Sequence, residues 1–308
     1  MKKICVVGSL NVDLTITVPR FHLPGESMIG TSFATYTGGK GGNQAVACAR
    51  LGAEVNMVGC LGDDGNGEFY LNSLKAEGIP TDGIVVKEGV NTGMAIIEVD
   101  PSGDNRIIVV IGANDELDLD AITAKKDYIS QSDICLFQCE NPLPSINHAM
   151  AIARQSGAVI ILDPAPAPSS PLPEAILALC DYVTPNETEL MALTGMPVDT
   201  VEQAVEAAGK LLDKGAKAVI NKRGSEGALF VSADGYKMYP GFKVEAVDTT
   251  AAGDSFNAGL AIGLSLGYGI DEAIILANAV GALSTLKKGA KAGMPTLDEA
   301  QRFIALQG

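Results

Sequence analysis

Short, wholly apolar runs recur along this chain, and the stretches between them have the length of helices. The runs are Ile4 to Val7, "EVNMVGCLG" after Gly52, "DICLFQ" (133–138), "AVIILD" (158–163), "DYVTP" (181–185) and "KAVINK" (217–222). A strand that is apolar on both sides must be covered on both faces, and crossover helices that join parallel strands provide that cover. Helices are predicted over 43–52 (closed by Gly52), 65–77, 144–156, 187–194 and 200–214. The pattern predicts a three-layer α/β/α fold with a mostly parallel central sheet. With 308 residues, 47% of them hydrophobic, there is material for one large domain spanning 1–308. The Pro-rich stretch 163–173 reads as a loop, because the alternation resumes beyond it.

Two regions break the alternation. Residues 92–113 read as a hairpin around "DPSGDN", and 14–37 are rich in Thr, Val and aromatic residues with proline breaks. Together they predict a small separate sheet, a lid over a site, whose apolar faces favour a homodimer formed through it.

Charge and cysteine usage exclude several functions. The formal charge of −15 argues against a nucleic-acid binder, though backbone N–H groups can hold a small phosphorylated ligand without a basic surface. The six cysteines form no CxxC pair, and the two histidines, His22 and His148, are isolated, so reduced thiols are expected and a zinc site is not. The first apolar run is too short for a signal peptide, and no stretch reaches the ~18 apolar residues of a membrane span. A soluble, cytoplasmic protein with no membrane partner is expected.

Five stretches could carry chemistry. "GSLNVD" reads as a strand-end loop that places Asn11 and Asp13 just after the first strand, where they could bind vicinal hydroxyls, although turn formation explains them equally well. "TGGKGGNQA" (37–45) is neither a Walker A loop nor G-x-G-x-x-G; Lys40 and Asn43 supply donors there, and alone it could be a flexible turn. "TPNETE" opens a helix: the dipole accounts for Glu187, while Asn186 and Glu189 share a face able to hold hydrated Mg²⁺. "VINKRGSEGALFV" (219–231) reads as strand, glycine turn and strand, with Lys222 and Arg223 in reach of phosphates, or as a plain hairpin. In "VDTTAAGDSFNAGL", Asp254 stands at a helix start, where it could be an N-cap or could sit beside an anion held by the N–H groups of 251–254. Asp248, Thr250 and carbonyls near Ser284–Gly293 offer oxygen ligands to a weakly hydrated monovalent cation. HExxH and GxSxG are missing.

From Ile4 to about Pro295 the chain resembles the ribokinase family of carbohydrate and nucleoside kinases. "GGKGGNQAVACARLG" and "VDTTAAGDSFNAGL" are similar to that family's two signatures, and "GSLNVDL", "PGE", Gly62-Asp63-Asp64-Gly65, "GAN", Asp163-Pro164-Ala165-Pro166-Ala167 and "TPNETE" fall in the family's order. The resemblance implies ATP-dependent phosphorylation of D-ribose at its 5-hydroxyl. Another furanose such as 2-deoxyribose, a nucleoside, or a non-catalytic sugar- or nucleotide-binding regulator are the alternatives. It implies that Asn11, Asp13, Gly39, Lys40, Asn43, Glu140 and Asp254 bind the sugar. Asn186, Lys222, Arg223, Gly224, Ser225, Glu226, Gly227, Gly253 and Asn278 would contact ATP, with Glu189 helping to place Mg²⁺. Ala251, Ala252 and Gly253 would form an anion hole, and Asp254 would be the base. Asp248, Thr250, Ser284, Lys287, Gly289 and Gly293 would hold K⁺. Two departures from the family's pattern matter: Lys222 stands where many members have threonine, and Asp163, on the sheet edge expected to face the sugar, stands where members of this kind often have asparagine.

Overall fold

The structure is a computed structural model that describes residues 2–307. Its elements run β1 (Ile4–Val7), β2 (Asn11–Thr17), β3 (Ser32–Gly38), α1 (Lys40–Arg50), β4 (Val55–Gly62), α2 (Gly65–Ala76), β5 (Ile84–Lys87), β6 (Gly93–Val99) and β7 (Asn105–Val110). There follow α3 (Leu119–Ala124), α4 (Lys126–Ser130), β8 (Ile134–Phe137), α5 (Leu143–Gln155), β9 (Val159–Leu162), α6 (Glu174–Leu177), β10 (Tyr182–Val183), α7 (Glu187–Thr194) and α8 (Val201–Asp213). The chain closes with β11 (Ala218–Lys222), β12 (Gly227–Ser232), β13 (Gly235–Pro240), α9 (Ala252–Ser265), α10 (Ile270–Ser284) and α11 (Leu297–Gln307).

Nine strands form one sheet in the order β13-β12-β11-β10-β9-β8-β1-β4-β5. Pairing is parallel from β11 through to β5, and only β12 and β13 join antiparallel at one edge. Side chains alternate across a strand, and β1 shows the result: Ile4 and Val6 enter one core, Cys5 and Val7 the other. The first core is closed by apolar faces of α1, α2, α9, α10 and α11, and the second by α3 to α8. Each fully buried Val, Leu or Ile contributes about 1.5–3 kcal/mol, so a strand apolar on both sides is secured twice. The cysteines are all free, and Cys139 alone among them is not fully buried.

The remaining strands form a second sheet, ordered β3-β2-β6-β7 and built from the two segments that broke the alternation. β2 pairs antiparallel with β3 and parallel with β6. All six residues of β7 are exposed, so the described residues leave both faces of that edge strand largely uncovered.

Two local expectations are corrected. Asn11 and Asp13 lie on β2 itself, not in a loop, because the chain turns at Gly8–Leu10 and re-enters extended structure at once. Helix α1 starts at Lys40 rather than 43, so the Gly-rich stretch is its first turn. Glycine suits that turn for a packing reason: a Cβ on Gly41 would lie 2.5 Å from the carbonyl carbon of Gly8.

Candidate active site

Parallel strands deliver loops to the carboxyl edge of their sheet, and the site collects there. β8 leads to Gln138 and Glu140, β9 to Asp163, β10 to Asn186, and β11 ends at Lys222. The N-termini of α1 and α9 meet the same region, and these two helix ends differ in one decisive respect. At α1 the first-turn donors are claimed: Lys40 N–H by Glu140 Oε2 at 3.2 Å and Gly42 N–H by Ser9 O at 3.0 Å. At α9 Ala252 N–H reaches Thr249 O at 3.1 Å, but the N–H groups of Gly253 and Asp254 find no acceptor among the described residues. An open helix end of this kind favours an anion.

Asp254 is therefore not the N-cap. Ala251 holds that position with φ 61°, a left-handed conformation that costs an alanine about 1–2 kcal/mol. Asp254 sits in the first helical turn, buried, with Oδ2 accepting from Asn43 Nδ2 at 3.0 Å and Oδ1 from Gln44 Nε2 at 3.1 Å. Burial raises its pKa to about 6; Asp163 adds to that rise, while Lys40 and the two amide donors oppose it. For Lys40, burial works against the charge, yet Asp254, Asp163, Glu140 and Glu189 outweigh it and hold the ammonium above its ordinary value.

A cavity of about 470 Å³ opens beside these groups. Lys40, Asp163, Asn186, Glu189, Lys222, Gly224 and 251–254 are part of its lining. Lys222 lies over the helix end, its Nζ 3.3 Å from where a Cβ of Gly253 would stand, and it is bound to Asp163 Oδ1 at 2.7 Å. Asn186 and Glu189 form a capping box: Asn186 Oδ1 accepts Glu189 N–H at 2.7 Å, and Glu189 Oε2 accepts Asn186 N–H at 2.7 Å. The other oxygen of Glu189 has no hydrogen-bond partner among the described residues, and burial pushes this carboxyl pKa upward, with Lys222 opposing the rise and Asp163 adding to it.

A second cavity of about 370 Å³ is lined by Asn11, Asn114, Glu140, Asn141 and apolar residues including Val109 of β7 and Ile111 just beyond it. Asn114 holds the turn between β1 and β2. Its Oδ1 accepts Leu10 N–H at 2.8 Å and its Nδ2 donates to Asn11 Oδ1 at 2.7 Å, which leaves the Asn11 amide N–H groups for a ligand. Ser9 Oγ donates to Glu140. Asp13 is raised to about 6 by burial and by Glu140, against Lys291, whose own pKa burial lowers to about 8.

Most of the residues singled out in the sequence converge here, with some exceptions. Lys40 faces the first cavity with the helix ends rather than the second. Arg223 is not part of the first cavity's lining. Its guanidinium is buried against Glu226 at 2.9 Å, Glu187 at 3.4 Å and Val198 O at 3.2 Å. Ser225, Glu226 and Gly227 lie past the cavity lining, and Asn278 Nδ2 ties α10 to Tyr239 O and Pro240 O at 3.4 and 3.3 Å. In the cation set, Asp248 Oδ1 accepts Thr250 N–H at 2.9 Å and Oδ2 accepts Gly289 N–H at 2.8 Å. Gly293 lies against Ser284 O, where a Cβ would come within 1.9 Å, while Lys287 is exposed. Among the described residues no three His, Cys, Asp or Glu side chains converge as a metal cluster.

Sequence reasoning missed Gln44, Gln138 and Asn114 as site-builders and set Asp163 on the sugar side, whereas it lines the first cavity and binds Lys222. Gln44 adjoins Asn43 on the first turns of α1, and its position there is the one signal that could have found it.

Comparison with known proteins accords with this geometry. Residues 1–297 match the model of the pfkB family carbohydrate kinases. The ribokinase of Haemophilus influenzae is 42% identical over 304 residues, covering 98% of each chain, and that of Bacillus subtilis is 39% identical over 305 residues, covering 99% of this chain and 100% of the other. The structure of Arabidopsis thaliana ribokinase complexed with ribose and ATP superposes with a TM-score of 0.93 at 32% identity, covering 98% of each chain. The fold, the open end of α9 with its buried aspartate, and full-length similarity agree: this chain belongs to the pfkB family of carbohydrate kinases.

Proposed function

We propose that this protein transfers the γ-phosphoryl group of ATP to the 5-hydroxyl of D-ribose, giving ribose 5-phosphate. The observation that carries the reading is Asp254: a buried carboxylate in the first turn of a helix whose neighbouring N–H groups are unclaimed. Relatives named ribokinase at 39–42% identity over nearly the whole chain support the choice of sugar. ATP would occupy the first cavity and the sugar the second, where Asn11 and Glu140 supply partners for hydroxyl groups, with Asp13 two residues further along β2.

Asp254 takes the proton of the attacking hydroxyl as its oxygen meets the γ-phosphorus in line, and ADP leaves. A carboxylate is a weak base toward an alcohol, so it accepts the proton late, and positioning supplies most of the acceleration. The N–H groups of Gly253 and Asp254, with the Lys40 ammonium, hold the phosphoryl oxygens. Of the expected hole, Gly253 keeps an unclaimed N–H and Asp254 adds another, while Ala252 N–H turns to Thr249 O.

Glu189 and Asn186 suit Mg²⁺ held largely through water, because half-buried Glu189 lines the cavity with one carboxylate oxygen left over from the capping box. When bound, Mg²⁺ would neutralise charge on the β- and γ-phosphates. Asp248, Thr250, Ser284, Lys287, Gly289 and Gly293 suit K⁺ in part: Asp248 and Gly289, and Ser284 and Gly293, are already in contact. The chain works as one domain over 1–308, with the small sheet as a lid, as a cytoplasmic homodimer joined through the uncovered β7 edge. A coupled kinase assay across ribose, 2-deoxyribose, other pentoses and nucleosides tests the substrate. Ribose should give the highest kcat/KM, with slow ATP hydrolysis when sugar is omitted; preference for another acceptor would overturn the assignment.

A further inference from the structure

Asp163 is 2% exposed and is the first residue past β9. Its two carboxylate oxygens face two different partners. Oδ1 accepts from Lys222 Nζ at 2.7 Å, and Oδ2 accepts from Gln44 Nε2 at 3.0 Å. The same Gln44 nitrogen also donates to Asp254 Oδ1 at 3.1 Å, while Gln44 Oε1 is held by Gln138 Nε2 at 2.8 Å. Gln44 therefore locks Asp163 and Asp254 into one geometry from behind.

Lys222 meets this group from the other side. Asp163 is its one side-chain partner among the described residues, and an ammonium has three donors. The rest are directed at the cavity, above Gly253 and the open end of α9. Unrestrained, a lysine is a flexible point charge; fixed by a buried carboxylate, it is a preset one. Asp163 and Lys222 are thus in contact and opposite in charge.

We propose that Asp163 and Lys222 act as one nucleotide-positioning unit, with Asp163 as the positioning residue that fixes the Lys222 ammonium over the helix end, where it meets the terminal phosphate of ATP. The proposal rests on the kinase reading above but not on which sugar is used. It carries an asymmetry. Removing the lysine strands a buried carboxylate facing a polyphosphate, whereas removing the carboxylate only loosens a cation that still attracts it. Loss of the lysine alone is therefore worse than loss of both.

The test is calorimetric titration of a non-hydrolysable ATP analogue, with Mg²⁺, into the full chain and its variants. Lys222→Thr should weaken the analogue's Kd by at least about 30-fold and Asp163→Asn by about 3–10-fold. The double variant Asp163→Asn/Lys222→Thr should return to within about 5-fold of the parent protein. In turnover the ATP KM should follow the same order, with the sugar KM unchanged. A merely structural pair would lower Tm without this split. Lys222→Met, which keeps much of the aliphatic stem, serves if Lys222→Thr does not fold. Losses that multiply in the double variant, or single variants that bind like the parent, overturn the unit. If the parent binds the analogue but phosphorylates no pentose, the ribose assignment falls and the unit is judged on nucleotide binding alone. A parent that binds no analogue overturns both.

Discussion

Asp254 should reveal itself in the pH dependence of turnover. Its pKa stands at about 6, against the ordinary 3.8, because burial disfavours the charged form. The difference corresponds to about 3 kcal/mol in favour of the neutral acid. A base must be ionised to work. About nine-tenths of the enzyme would be competent at pH 7 and about one-tenth at pH 5, whereas an ordinary carboxylate would still be ionised at pH 5. Asp13 is also raised to about 6, so two groups fall in the same window. The profile of log kcat/KM for ribose should then approach a slope of two below pH 6. In Asp254→Asn the residual activity, lower by about 10²–10⁴-fold, should keep only the slope of one that Asp13 imposes.

The same shift has an opposite consequence for stability. A carboxyl whose pKa is raised in the native state binds more protons there than in the unfolded chain between pH 3.8 and about 6. Stability therefore falls as pH rises through that window. At pH 7.5 Asp254→Asn should melt higher than the parent while turning over far more slowly. The assay is steady-state kinetics from pH 4.5 to 8 beside thermal unfolding at both ends. A parent profile flat down to pH 5, or an Asp254→Asn variant with near-normal turnover, would refute the assignment of the base.

Further outcomes follow from other parts of the molecule. Arg223→Ala should lower stability by about 1–3 kcal/mol through its lost buried hydrogen bonds and leave the ATP KM within about twofold; a large rise in KM would return Arg223 to the phosphates. Potassium should raise kcat/KM over sodium, and Asp248→Ala should abolish the difference; equal rates in both salts would remove the cation site. Sedimentation should give a dimer mass that Ile108→Glu converts to a monomer, since Ile108 is 64% exposed on β7; a monomeric parent would refute the lid interface.

How much of this could be read from the sequence depends on the range of the interaction. The α/β alternation was legible because burial on both faces is written locally, in runs such as Ile4–Val7. Asn186-x-x-Glu189 is a local pattern too, yet its metal-binding possibility obscured the capping box that it forms. Lys222 and Arg223 were both assigned to phosphates, although neighbouring residues leaving a strand point to opposite sides, and only Lys222 faces the cavity. The start of α1 was set too late because glycine is a poor helix former, and the close approach of Gly8 that favours glycine there is a tertiary fact. Asp163 and Lys222 are 59 positions apart, and nothing local joins them.

Asn11 stands at the first position of β2, directly beyond the turn that leaves the central sheet, and Thr17 is the last residue of that strand. At about 3.4 Å per residue the strand projects roughly 20 Å from its root. Were the small sheet to swing by about 10° on that root, its far end would travel about 3.5 Å while Asn11 would scarcely move. The amide offered to the ligand thus sits at the fulcrum and the outer strands on the long arm. Such a lever can open widely without dragging on what it holds.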